Sequence, residues 1–211
     1  MPVSHGFTLL ELLISLTIIG VILVIIFGSL RIGSRAWEKG EADVEAQQRE
    51  RVVLDLMRRQ IASICDREID TEDGAYLFKG DERAMTFTSR APVVPTTRSG
   101  MVYVKYMVDA SVGDENQLIF YEQDVVTNGG QAHLEEIDEA DFDMLIPSVH
   151  HISFEYLKRS EEEDAPPQWQ KAWDPESDEG LPMAVKVVFQ RNDEANALRV
   201  IARIHPEEED K

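Results

Sequence analysis

The sequence predicts an α+β protein in which a long N-terminal α-helix packs on an antiparallel β-sheet domain. Three observations predict it. From Leu12 to Leu30 the chain has 19 uncharged, mostly apolar residues. Apolar positions then recur at helical spacing as far as Ile64, with no proline between Arg31 and Ile64. Beyond Asp73-Gly74 the apolar period shortens to that of strands.

The apolar run comes first. At 1.5 Å per residue, 19 residues nearly cross a hydrocarbon core of about 30 Å. A cleaved secretory signal would need a basic start, a shorter apolar core of about 7–15 residues and a small-residue cleavage site at its far end. Met1-Pro2-Val3-Ser4-His5 has no Lys or Arg, and the run leads into more helix. A transmembrane helix is expected.

Glu11 is the only charged residue among the first thirty. A carboxylate at the edge of hydrocarbon costs several kcal/mol unless it is paired or reaches water. A cut before Phe7 would place a new α-ammonium four residues ahead of Glu11, on the same helix face. That amine could reach this carboxylate or a neighbouring subunit's. The competing reading is an interfacial acid that snorkels.

Gly6-Phe7-Thr8-Leu9-Leu10-Glu11 followed by an apolar run resembles the class III leader of type IV pilins and type II secretion pseudopilins. The resemblance implies that a prepilin peptidase cuts between Gly6 and Phe7, that Phe7 becomes N-methylated, and that Glu11 is the filament-docking acid. Where that family carries Lys or Arg before the glycine, this chain has His5. Arg31, Arg35 and Lys39 follow the span and nothing basic precedes it. The positive-inside rule alone would therefore put the C-terminal bulk in the cytoplasm. The leader resemblance implies the opposite: a single pass through the bacterial inner membrane with the bulk in the periplasm.

Past the span, Val53, Leu56, Met57, Ile61 and Ile64 form an amphipathic stripe expected to cover the sheet domain. The face from Glu41 to Arg51 reads as solvated. Gly33 and Gly40 each lower helix propensity by about 1 kcal/mol and mark a place where the helix could bend. Asp73-Gly74 and Lys79-Gly80-Asp81 read as turns. Strands are expected at Ala84–Ser89, Met101–Asp109, Gln117–Asp124, Ile152–Leu157, Ala184–Gln190 and Leu198–Ile204. Glu161 to Glu179 reads as a long loop ordered by Trp169 and Trp173. Glu207 to Lys211 reads as a solvated acidic tail.

The order of Leu145-Ile146-Pro147, Val149, the strand Ile152 to Tyr156, the Trp169/Trp173 pair and Leu181-Pro182 before Val185 to Phe189 resembles the minor J pseudopilins of type II secretion systems. It implies a pseudopilin fold and assembly with minor pseudopilins I and K into the tip of a short periplasmic pseudopilus. The corresponding divisions are a leader at 1–6, a transmembrane helix at 7–30, its periplasmic extension at 31–66, a β-rich domain at 67–206 and an acidic tail at 207–211.

Composition narrows the remaining classes. With 21 basic against 40 acidic side chains the chain carries −19, and such a surface repels phosphate backbones. Nucleic acid is excluded as a partner. Cys65, the sole cysteine, cannot form an intrachain disulfide, and Asp66 beside it opposes a reactive thiolate. It reads as a thiol buried at a helix end. No Gly-rich phosphate loop, G-x-S-x-G or H-E-x-x-H occurs. No enzymatic activity, cofactor or metal is expected. His150-His151 would point to opposite faces of a strand. Asp174, Glu176, Asp178 and Glu179 lack a calcium-loop ladder and read as a solvated acidic loop. A minor type IV pilin is the nearest alternative. A membrane-anchored envelope enzyme or receptor would need a cleft that the sequence does not announce.

The leader reading makes a direct prediction. In cells with active peptidase the mature chain begins at a methylated Phe7, as intact-mass or N-terminal sequencing would show. A chain that keeps Met1 to Gly6, or that begins beyond Leu30, would remove the assignment.

Overall fold

The computed structural model describes residues 8–71, 74–94, 100–110, 115–125, 137, 141–160, 165–193 and 195–204. They form two compact units, residues 1–49 and 50–211. The first is helical. Helix α1 is assigned from Leu9–Ala62 and continues through Gly33 and Gly40. Every described side chain before Glu50 is exposed.

The second unit holds the last turns of α1 and all the strands. The strands are β1 (Ile69–Thr71), β2 (Gly74–Tyr76), β3 (Phe78–Gly80), β4 (Ala84–Ser89), β5 (Val102–Ala110), β6 (Asn116–Asp124), β7 (Asp143–Val149), β8 (His151–Lys158), β9 (Gln168–Gln170), β10 (Ala184–Gln190) and β11 (Leu198–Arg203). All pairings are antiparallel. The sequence reading pointed to an antiparallel sheet, and the described residues form three, ordered β1-β2, β3-β4-β5-β6-β7 and β11-β10-β8-β9.

Two of the expected strands, β4 and β10, have the expected bounds, and four others match within one residue at either end. The additions have physical reasons. β1, β2, β3 and β9 have three residues each, too few for a period to show. In β7 Pro147 masks the pattern, and its pairing with β6 is interrupted by register shifts. The expected turn at Gly74 lies in β2, and that at Gly80 lies in β3. The tail at 207–211 lies outside the described residues.

Alternation directs one face of each larger sheet into a single core. Met85 and Phe87, Val104 and Tyr106, and Leu118 and Phe120 meet Phe154 and Tyr156, Val185, Val187 and Phe189, and Ala202 there. Val53, Leu54, Met57 and Ile61 from α1 complete it. The predicted stripe therefore covers the sheets through Val53, Met57, Ile61 and Ile64, but Leu54 takes the place expected of Leu56, which is half-buried and outside the core. Burying each such side chain is worth about 1.5–3 kcal/mol. Glu50 departs from the solvated face expected of 41–51: it is buried, with both carboxylate oxygens held by Arg191 at 2.7 and 2.6 Å.

The helix ends where polar groups of β4 meet its last carbonyls. Ser89 Oγ donates to the carbonyls of Gln60 and Ser63 at 2.8 and 3.3 Å, satisfying acceptors that a helix end leaves open. The chain then pairs with the end of β4, with Ile64 opposite Ser89 in an antiparallel bridge. Cys65 N–H donates to Thr88 O, and Thr88 Oγ1 donates back to the carbonyls of Cys65 and Arg67. Cys65 is buried at the helix end, as expected.

The two larger sheets are stitched at the turn between β3 and β4. Gly80 and Trp173 exchange backbone hydrogen bonds of 3.0 and 2.7 Å. Asp81 Oδ1 accepts from the N–H groups of Arg83 and Ala84. Tyr156 Oη donates to the carbonyls of Asp81 and Ala84 at 2.8 and 3.2 Å, and Phe154 N–H donates to Glu82 O. Burial and the neighbouring Asp81 push the Tyr156 hydroxyl pKa far up, so it remains a donor. Trp173 is buried in the core and Trp169 lies under Lys186, whose Nζ is 4.0 Å from the ring centroid. The two tryptophans thus anchor residues 165–179 of the expected loop, which contains β9, while Glu161 to Asp164 lie outside the described residues.

Glycine is required at position 80 by this approach. A Cβ there would lie 2.3 Å from Tyr156 Oη and 2.6 Å from its Cζ. Gly80→Ala should destabilise the second unit by about 2–4 kcal/mol, since it combines overpacking with the loss of a buried hydrogen bond. Denaturant titration of the detergent-solubilised chain, followed by tryptophan fluorescence, measures this. An unchanged midpoint would mean that the sheets accommodate a methyl group here.

Candidate functional site

The candidate site is the start of α1 and the apolar surface that follows it. Thr8 caps the helix. Its carbonyl accepts from the N–H groups of Glu11 and Leu12 at 3.1 and 3.2 Å, and its Oγ1 accepts from Glu11 N–H at 3.3 Å. Thr8-Leu9-Leu10-Glu11 is the spacing of a capping box, which places an acid in the first turn beside the positive end of the helix dipole. That signal stands in the sequence, but a reading concerned only with an ionic partner for Glu11 misses it. Thr8 is thus a positioning residue for the acid.

The Glu11 side chain is exposed. Among the described residues it has no ionic partner. Gly6 and Phe7 lie outside the described residues, so the cut site and the acid are not brought together by the structure. The two hydroxyl side chains in the first half of the span satisfy themselves: Ser15 Oγ donates to Glu11 O at 2.8 Å and Thr17 Oγ1 donates to Ile14 O at 2.7 Å. Both can enter hydrocarbon without an open donor.

α1 is the one helix among the described residues that is long and apolar enough to cross a membrane, and its apolar window has no buried residue. Nothing in the first unit covers Leu12 to Leu30. Lipid or other helices must do so. Beyond the run come exposed Arg31, Ile32, Arg35 and Trp37. Long cations and a tryptophan suit the headgroup layer, where stems and rings stay apolar while charges and the indole N–H reach water.

The other candidates resolve into structure. Asp178 is buried. Its Oδ1 accepts from Lys158 Nζ at 2.7 Å, and its Oδ2 accepts from Gln170 Nε2 and Asp174 N–H at 3.1 and 3.0 Å. Sequence spacing treats this residue as one of four loop acids, whereas it holds the loop together. No group of metal-ligating side chains occurs among the described residues. His150 Nε2 lies 3.7 Å from Asp193, and His151 Nε2 is 3.1 Å from Ser153 Oγ. The sequence holds one more cluster of acids, Glu135, Glu136, Asp138, Glu139, Asp141 and Asp143; Asp141 and Asp143 are exposed, while the other four lie outside the described residues.

Comparison with known proteins gives two family matches that together run through most of the chain. The model of the prokaryotic N-terminal methylation motif matches residues 1–27. The model of type II secretion system protein J matches residues 28–202. A type II secretion system protein J from Xanthomonas campestris pv. campestris is 28% identical over 190 residues, which cover 88% of this chain and 86% of that protein.

The Asp178 cluster carries a pH signature. Burial pushes its carboxyl pKa up, but the hydrogen bonds from Lys158, Asp174 and Gln170 outweigh that and hold it below the ordinary 3.8. A depressed folded-state pKa contributes stability that is fully present above the unfolded value and is lost as pH falls through the folded one. Asp178→Asn should therefore cost about 1–3 kcal/mol near pH 7. The difference from the parent should shrink below pH 3.8. Denaturation midpoints across that range test it, and a constant difference would show that the carboxylate's charge is not what holds the loop.

Proposed function

Because the chain belongs to the protein J family of type II secretion systems and is a membrane-anchored minor pseudopilin of that machinery, we propose that it works by assembly and not by turnover. The observation that carries this is a capped helix start with an exposed acid at the head of an apolar surface that the described residues leave uncovered. In the proposed sequence of events a prepilin peptidase cuts between Gly6 and Phe7 and Phe7 is methylated. The new α-ammonium then pairs with Glu11 of a neighbouring subunit. Thr8 supports this by fixing the first turn one residue after the new terminus.

The proposed partners are minor pseudopilins I and K, joined with this chain in the tip of a periplasmic pseudopilus. Residues 1–6 serve as leader, 7–30 as transmembrane helix, 31–66 as its periplasmic extension, 67–206 as periplasmic β-rich domain and 207–211 as acidic tail. The family match over residues 28–202 favours this over a minor type IV pilin. Arg31, Arg35 and Trp37 then mark the periplasmic boundary of the span.

Glu11→Ala separates insertion from assembly. Removing the charge eases entry into hydrocarbon but deletes the ammonium's partner. The variant should insert as the parent does, while its association with I and K in membranes falls at least about tenfold, equivalent to ~1.4 kcal/mol. Membrane fractionation and quantitative cross-linking measure the two quantities. Unchanged cross-linking would mean that Glu11 merely snorkels.

A further inference from the structure

Among the described residues, strand β11 is an open edge with a consistent chemical character. It borders β10 on one side only, in a register that runs without a shift from Ala184↔Arg203 to Phe189↔Leu198. Ile204 N–H donates to Met183 O at 3.1 Å, which fixes the parity of the ladder. Leu198, Val200 and Ala202 turn their backbone groups to β10, and Arg199, Ile201 and Arg203 turn theirs to the free edge. Side chains alternate with the same period. The three residues that offer backbone donors and acceptors at the edge therefore also present their side chains on the face opposite the core. All three are exposed, and among the described residues neither arginine has an acidic partner.

The other sheet edges are poorer. β3 and β9 have three residues each, and β7 carries Pro147 and disrupted pairing. Only β11 is a six-residue edge without proline or glycine among these. Its Arg-x-Ile-x-Arg face stands in a chain of net charge −19. A second copy is a poor occupant. Antiparallel pairing of two β11 strands centred on Ile201 would set Arg199 of each against Arg203 of the other, and like charges directly opposite are destabilising.

We propose that β11 is a docking edge for an extended segment of a different protein whose alternate residues read acidic, apolar, acidic. The segment adds as a strand beside Arg199, Ile201 and Arg203, with backbone bonds supplying affinity and the carboxylates and apolar side chain supplying selection. This is separate from the docking of the N-terminal helix. A chain unable to enter a pseudopilus would still bind such a segment.

The test uses the full chain in detergent and two short blocked peptides of threonines alternating with glutamate, valine and glutamate, or with lysine, valine and lysine. Residue-resolved hydrogen exchange is the readout. The acidic peptide should slow exchange at Arg199, Ile201 and Arg203 by about tenfold or more, and the basic peptide should not. Arg199→Glu with Arg203→Glu should weaken the acidic peptide at least about tenfold and reverse the preference. Ile201→Pro removes one edge-facing N–H and spares those bonded to β10. It should likewise weaken binding, with protection at β10 confirming that the sheet is intact. Equal binding of the two peptides, or no added protection, would overturn the proposal. So would edge amides already protected in the free chain, or protection that rises with the concentration of the chain alone, which would assign the edge to the chain's own residues or to a second copy.

Discussion

Apolar helix surface with no cover of its own is the constraint from which the rest follows. A helix closes its own backbone hydrogen bonds, so Leu12 to Leu30 can leave water without open backbone groups, and Ser15 and Thr17 return their hydroxyl hydrogens to the same helix. The charged group that this economy does not settle is Glu11. Its backbone is capped by Thr8, while its carboxylate remains exposed at the point where the environment turns apolar. A site defined by one unsettled charge calls for a partner.

In the second unit, polar contacts do the locating and apolar contacts the holding. Gln60 is buried at the end of α1. Its Oε1 accepts from Tyr106 Oη at 2.6 Å, and its Nε2 donates to Glu122 at 2.8 Å and to Ala91 O at 3.1 Å. Glu122 in turn accepts from the N–H groups of Val93 and Val94. This chain of bonds fixes the rotation of the last helical turn over β5 and β6, which apolar packing alone would leave freer. The stitch at Gly80, Asp81 and Tyr156 plays the same part between the two larger sheets.

Much of this was legible in the sequence because it depends on short-range periodicity. The span, the stripe from Val53 to Ile61 and the six longer strands all repeat within a few residues. The leader was legible as a combination of residue identity and position. What could not be read depends on residues far apart along the chain. Glu50 sits among polar neighbours and looked solvated, yet Arg191, 141 positions later, buries it. Gly80 looked like a turn residue, and its real reason is the ring of Tyr156. Asp178 looked like one acid of four, and Lys158 and Gln170 single it out. Thr8 was legible and missed, since its signal is local and is the ordinary one for a helix start.

The distance between Glu50 and Arg191 also sets an order of events in time. α1 is made first, but the residues that cover its buried end include Phe189, Ala202 and Ile204, near the far end of the chain. β10, the central partner of both β8 and β11, emerges after every strand but one. A nascent chain can therefore anchor itself long before its core can close, and contacts of such long range form slowly. Until the last strands arrive, the second unit stays open, threadable and exposed to proteases and chaperones while it is already tethered.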